Sequence, residues 1–356
     1  MLPPPCGEGR GGGRFKLRLV KLALALPYEA NLSFDEMLEL TLRAEELSFD
    51  SVWMPEAYGT DAISILAGLA VKTTRIRIGT GIINVFSRTP ALIAQTAATM
   101  DLISGGRFIL GLGTSGHQVI GGWHGVPFDR PVRRMRETVQ IVRSVLRRDA
   151  LRFEGEVFQL TQGLKLQMHP VRDKIPVFLA TLTPAGLRLT GEVADGWIPT
   201  LYSPEHRDIF LDEVRAGAVK GGRSLESIEI SPFMRVLVDN DAARARDEVR
   251  PWVALYVGGM GSRSKNFYKQ TVSRYGFAED ATAIQELYLG GRKLEAIKRV
   301  PDALVDAITL AGPPGLIKDR LAACARAGVT LLIAAIQGRN QAQRLRAIEV
   351  TAECLP

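Results

Sequence analysis

A chain of 356 residues, in which Lys and Arg outnumber Asp and Glu by 45 to 38, is long for one ordinary domain, but α/β barrels routinely pass ~250 residues as a single unit. Apolar residues make up 46% and charged residues 23%, which excludes a disordered or fibrous protein, and no apolar run reaches the ~18 residues of a membrane-spanning helix. Three cysteines, Cys6, Cys324 and Cys354, form no CxxC pair, which argues against a disulfide framework and for a reducing cytoplasm.

Residues 1–14 are rich in Gly and Pro and read as a disordered tail; residues 15–356 read as one domain. The basic, apolar stretch up to Leu26 imitates a secretory leader. Lys21 splits it, and Pro27 follows only five apolar residues later, too short for an h-region. Leu19–Leu26 is therefore the first predicted strand. Ser33–Leu47 is a helix, with Ser33 and Glu36 spaced as a capping box. Ser51–Met54 is a buried strand and Asp61–Lys72 a helix. Arg75–Ile83 is a strand holding two glycines, which mark a bulge or a close backbone approach. The helix Pro90–Leu102, the strand Arg107–Leu112 and the helix Val132–Arg148 follow. Arg130, Arg133, Arg134, Arg136, Arg143, Arg147 and Arg148 read as a solvated helix face; without interleaved aromatics they do not suggest nucleic acid.

Arg152–Gln159 reads as a small hairpin. The alternation resumes with the strand Val177–Thr181, the helix Pro184–Glu192, the strand Gly196–Pro199, the helix Pro204–Val219, the strand Ile228–Val238 and the helix Ala242–Val257. Residues 258–304 break the rhythm as an insertion. Pro314–Ala327 is a helix, Val329–Ile336 the last strand and Asn340–Glu353 a closing helix. Eight strands, each followed by a helix, predict a (β/α)8 TIM barrel with insertions on its C-terminal face.

The site of such a barrel lies just past its strand ends. Those positions are rich in Gly and Thr. Paired acids for glycoside hydrolysis are missing, and His117, His124, His169 and His206 have no metal-ligand spacing. Gly111–Gly116 satisfies GxGxxG by letter, but Gly121, Gly122 and Pro127 follow where a dinucleotide site needs a helix. A mouth loop beside a flat ligand, or a plain tight turn, are the readings left open. Thr183 is an N-cap with Pro184 in the first helical position, so the following N–H groups suit a phosphate.

The strings WMPEAYGTDA, RIRIGTGIINVFSRTPALIAQTAATMDLISGGRFILGLGTSG, GWHGVPFDRP, GEVADGWIPTLYSPE and AGPPGLIKDRLAACARAGV together resemble the luciferase-like monooxygenase superfamily. They are most similar to its coenzyme F420 branch, which includes the methylenetetrahydromethanopterin reductases. The resemblance implies an oxidoreductase moving a hydride between the deazaflavin C5 and a small organic substrate, in a cytoplasmic homodimer without nucleic acid, membrane or metal. It implies a cis peptide bond at Gly81–Ile82 and cofactor contacts from Gly81, Ile82, Asn84, Gly113, Thr114, Ser115 and Gly116. Thr181, Leu182, Thr183, Ala185 and Gly186 match the phosphate loop. Glu56 and His117 are the acid/base candidates; the Asp-His pair of the F420-dependent glucose-6-phosphate dehydrogenases reads Glu56-Ala57 here. An FMN-dependent monooxygenase and a non-catalytic flavin-binding barrel are the rival readings.

Overall fold

The computed structural model describes residues 20–27 and 31–355. The expected N-terminal tail, Cys6 and Tyr28 lie outside the described residues. Thirteen strands are described: β1 Lys21–Ala25, β2 Ser51–Met54, β3 Arg77–Thr80, β4 Ile83–Asn84, β5 Phe108–Gly113, β6 Leu151–Glu154, β7 Gln159–Leu164, β8 Val177–Ala180, β9 Gly196–Trp197, β10 Glu229–Ile230, β11 Phe233–Val238, β12 Leu310–Gly312 and β13 Leu331–Ile336. All but the antiparallel β6–β7 hairpin join one parallel sheet.

The sheet closes on itself. β10 and β11 are one strand interrupted at Ser231-Pro232. Its lower part pairs with β9, and the Phe233 N–H donates to the Pro199 carbonyl at 2.8 Å. Its other edge pairs with β13, which pairs with β1. The ring thus runs β1, β2, β3, β5, β8, β9, β10/β11, β13, the eight predicted positions, two of them broken.

Strand alternation fills the interior. Ala23, Ala25, Trp53, Ile109, Phe178, Ile198, Leu331, Ile333 and Ala335 form a core inside the ring. Trp53 and Phe178 occupy most of it, with ring centroids 5.5 Å apart. A Cβ on Gly79 would lie 2.6 Å from the Trp53 indole, and one on Gly196 would lie 2.5 Å from the Phe178 ring. Gly79, one of the two glycines read as a bulge or ligand approach, is therefore small to admit a tryptophan.

The shell comprises α1 Phe34–Glu46, α2 Ala62–Lys72, α3 Pro90–Ile103, α4 Pro131–Leu146, α5 Pro184–Val193 and α6 Asp208–Lys220. The predicted capping box of α1 is formed: the Glu36 N–H donates to the Ser33 hydroxyl, and the Ser33 N–H to the Glu36 carboxylate. The next helix departs from expectation. α7 Ala242–Ala254 begins an excursion through α8 Phe267–Val272, α9 Ala278–Leu289, α10 Lys293–Lys298 and α11 Asp302–Ile308. The shell position over β11 belongs instead to α12 Pro314–Arg326, whose Cys324 thiol meets Met234 Sδ at 3.8 Å. α13 Gln341–Glu353 completes the ring.

The excursion lies above the strand ends. Trp252 of α7 covers Arg235, an inward position two residues above Phe233, with the guanidinium 4.8 Å from the ring centroid. The Tyr275 hydroxyl donates to the Leu201 carbonyl at 2.8 Å, just past β9. Arg339, beyond β13, pairs with Glu248 of α7. The insertion was expected to start at residue 258; the roof starts at α7, because the same amphipathic pattern serves a shell helix and a roof helix alike.

The arginines of α4 are not a merely solvated face. Arg136 makes a two-pronged pair with Glu192 of α5. Arg143 donates to the Val193 carbonyl and reaches Asp195. Arg133 pairs with Glu156 of the hairpin. The Arg136 hydrogen bond, with help from Lys220, lowers the Glu192 carboxyl from 4.5 to about 2. A depressed carboxyl stabilises above its unfolded value and loses that contribution as pH falls through its folded value. The pair is partly solvated, so it should contribute about 1–2 kcal/mol after screening, lost between pH 4.5 and about 2. Urea unfolding of wild type and Glu192→Gln across that range checks this. The gap between them should close on acidification; a constant gap would reject it.

Candidate functional site

The mouth is built around a break in the third barrel strand. β3 pairs regularly with β5 at Ile78–Phe108 and Gly79–Ile109. The ladder then opens at Gly81-Ile82, where the peptide bond is cis, as expected. Pairing resumes at Ile83–Leu112 and Asn84–Gly113. Thr80 spans the gap with its side chain: its hydroxyl donates to the Gly111 carbonyl at 2.9 Å and accepts the Gly111 N–H at 2.8 Å.

Ile82, thrown out by the break, packs over Gly113, where a Cβ would lie 2.8 Å from its side chain. Ile82, Ala180 and Phe233 are partly buried and rest on the interior core. Together they make an apolar floor across the mouth, backed by Trp53 and Phe178. A flat, mostly apolar ligand gains by covering such a floor. Gly116 has nothing within 4 Å of an added Cβ, and Ser115 adopts a left-handed φ of 55°. A six-residue π-helical turn, Gln118–Trp123, follows. It carries no side-chain N-cap, so the segment is a mouth loop rather than a dinucleotide motif.

Thr183 caps α5, its hydroxyl accepting the Gly186 N–H at 3.3 Å. Leu187 N–H is spent on the Thr183 carbonyl, and Pro184 has no N–H. Ala185 N–H lies in the first turn, where helices lack internal partners. The Thr181 and Thr190 hydroxyls are 2.7 Å apart, and Thr181 O accepts the Trp197 indole N–H at 2.9 Å. Thr181, Thr183, Ala185 and Gly186 are thus brought together at one helix end, with Leu182 between them.

The acid/base candidates are separated. Glu56 makes a two-pronged pair with Arg88, and its Oε2 accepts the Ala62 N–H at 3.1 Å, at the start of α2. Arg88 also reaches Asp61 at 2.8 Å. The Glu56 hydrogen bond raises the Arg88 guanidinium above its ordinary value, so it stays charged. Glu56 is 11% exposed. His117 is exposed, set edge-on to Phe128.

Sequence reasoning missed three groups. Arg235, half-buried, donates to Gln337 Oε1 at 2.6 Å beneath Trp252. Gln337 stands one alternation above Ala335 of β13. The third is His124, whose Nε2 lies 3.4 Å from Asn84 Nδ2. Strand parity could have flagged Arg235 and Gln337. Nothing in the sequence couples positions 84 and 124. No group of three or more His, Cys, Asp or Glu able to hold a metal occurs among the described residues, nor a helix long and apolar enough to cross a membrane.

A family model described as luciferase-like monooxygenase matches residues 19–331. A Mycobacterium tuberculosis protein named for coenzyme F420-dependent oxidoreductase activity is 36% identical over 342 residues, 92% of this chain and 99% of that one. The 5,10-methylenetetrahydromethanopterin reductase of Archaeoglobus fulgidus is 29% identical over 319 residues, 88% of this chain and 93% of the other. The solved coenzyme F420-dependent tetrahydromethanopterin reductase of Methanopyrus kandleri superposes with a TM-score of 0.81 at 25% identity, covering 95% and 98% of the two chains.

Proposed function

Since this chain belongs to the luciferase-like monooxygenase family, we propose that it is a coenzyme F420-dependent oxidoreductase acting on a small organic substrate. The observation that carries the reading is the apolar floor of Ile82, Ala180 and Phe233 beside Gly113 and the broken third strand. It fits a planar tricycle: its glycine edges leave room that a side chain would fill, and its support is rigid.

Bound there, the deazaflavin supplies a hydride at C5. The protein supplies everything else. Gly81, Ile82 and Gly113 back the ring, with Thr114, Ser115 and Gly116 along its edge. The α5 end, through Ala185 N–H, Gly186 N–H and the Thr181–Thr183 segment, suits a phosphate. The roof from α7 to α11 keeps water from the reacting face. Glu56, clamped by Arg88, serves as an ionised carboxylate rather than a proton donor, and His117 as a mobile rim base. The homodimer is placed on α2 and α3, whose Val71, Leu92 and Leu102 are exposed; a monomer mass on sedimentation would remove it. A cytoplasmic location goes with the reducing setting argued from the cysteines.

Titration of intrinsic tryptophan fluorescence with F420 and with FMN tests the cofactor. Saturable quenching by F420 with little response to FMN is expected; the reverse would favour a monooxygenase. Glu56→Gln should retain F420 binding and lower turnover about 10²-fold, the scale of a positioned acid/base group. Unchanged turnover would remove Glu56 from the chemistry.

A further inference from the structure

Asn84 is fully buried at the end of the broken strand, and its amide has one possible orientation. Oδ1 accepts the Phe86 N–H at 3.0 Å and the Ser87 N–H at 2.7 Å. An amide NH2 cannot accept, so the oxygen must face those two donors. Nδ2 then points the other way, to Nε2 of His124 at 3.4 Å. Because Nδ2 only donates, Nε2 must be the bare nitrogen. The neutral ring then carries its proton on Nδ1.

His124 is itself held in place. It ends the π-helical turn, its N–H donating to the Val119 carbonyl at 3.1 Å. Two residues on, the Val126 N–H donates to the Ile120 carbonyl at 3.1 Å. Phe128 beyond it stacks on Phe86 at 5.2 Å. The charged groups of this corner are Arg134, over the Phe86 ring at 4.7 Å, and Asp129, 3.6 Å from Arg134. The other histidines are placed differently: His169 meets Arg148 at 3.2 Å, His206 meets Ser203 at 2.9 Å, and His117 lies against Phe128. Among the described residues, His124 is the imidazole attached to the strand break.

We propose that Asn84 fixes His124 as an Nδ1–H donor at the mouth, and that this N–H binds a carbonyl oxygen of the deazaflavin's pyrimidine ring. The second half rests on the F420 reading above. A fixed neutral donor holds a carbonyl oxygen more strongly as negative charge collects on it, because charge-assisted hydrogen bonds are about twice as strong as neutral ones. The ring gains that charge on reduction, so His124 favours the reduced cofactor. Asn84 is a positioning residue, acting through His124.

Ring ¹⁵N NMR on histidine-labelled full-length protein tests the first half. At about pH 8.5, two pH units above the ordinary histidine range, His124 (identified by its loss in His124→Phe) should carry its proton on Nδ1. An Nε2–H ring in the wild type overturns the proposal. Asn84→Ala should release the ring to a tautomer mixture; a pure Nδ1–H ring in a folded Asn84→Ala protein overturns the part given to Asn84. Dissociation constants for F420 and reduced F420, by fluorescence, test the second half. His124→Phe should weaken the reduced form about 10-fold more than the oxidised form. Equal losses, or none, overturn the donor role. If wild type binds neither form, the cofactor reading falls and takes the donor role with it, while the tautomer spectrum still decides the role of Asn84.

Discussion

Replacing Gly111 by alanine is expected to cost about 3 kcal/mol or more of folding stability and to abolish F420 binding. An added Cβ would lie 1.8 Å from the Thr80 carbonyl oxygen and 3.3 Å from Ile198 Cδ1. The first of these atoms is backbone. Relief requires β3 and β5 to part where the Thr80 hydroxyl already bridges them. Overpacking a core usually costs about 1–3 kcal/mol, and more when backbone must move. Parting those strands also moves Ile82 off Gly113 and breaks the floor. Urea unfolding and F420 fluorescence titration read the two effects. Gly116→Ala is the control, because its Cβ would meet nothing within 4 Å. A Gly111→Ala protein with wild-type midpoint and affinity would refute the packing account of the mouth.

Arg172→Met should be nearly as damaging by a different route. Asp101 at the end of α3 is fully buried, and Arg172 is its countercharge. The Arg172 Nε donates to both Asp101 oxygens, at 3.1 and 3.2 Å, and its Nη2 donates to the Phe108 carbonyl at 2.6 Å. Methionine keeps much of the stem's volume but removes every donor. A buried charge left without its partner costs about 3–5 kcal/mol. The double variant Asp101→Leu/Arg172→Met removes both charges and should recover much of the loss, since an apolar pair can replace a buried ion pair. Denaturant midpoints of the two proteins decide it. No recovery in the double variant would mean that the bond to Phe108, rather than the charge on Asp101, sets the cost.

The barrel was legible because its signals are local. Ser33 with Glu36, Pro at the start of α3 and α5, and the β/α alternation each act within a few residues. The broken third strand was legible only through resemblance to a family, since Gly79 and Gly81 look alike in sequence yet serve an indole and a chain break. The roof was not legible. Ala242–Ala254 shows the helical period of any shell helix, and only the partner of Trp252 reveals where it lies. Charge pairing was equally hidden: Glu56 finds Arg88 across 32 residues, and Arg172 finds Asp101 across 71. Such pairs are set by tertiary proximity, which no local pattern encodes.

The excursion over the mouth leaves β11 at its upper end and returns alongside it. β12 runs parallel to the last residues of β11, and the Asp239 N–H donates to the Gly312 carbonyl at 3.1 Å. Departure and return are therefore neighbours on one edge, above the point where β9 stops. The cylinder beneath does not register how many residues pass between them. Lengthening, shortening or exchanging that whole cassette alters what the chamber admits while leaving the hydride platform untouched, so a lineage can change its diet without rebuilding its engine.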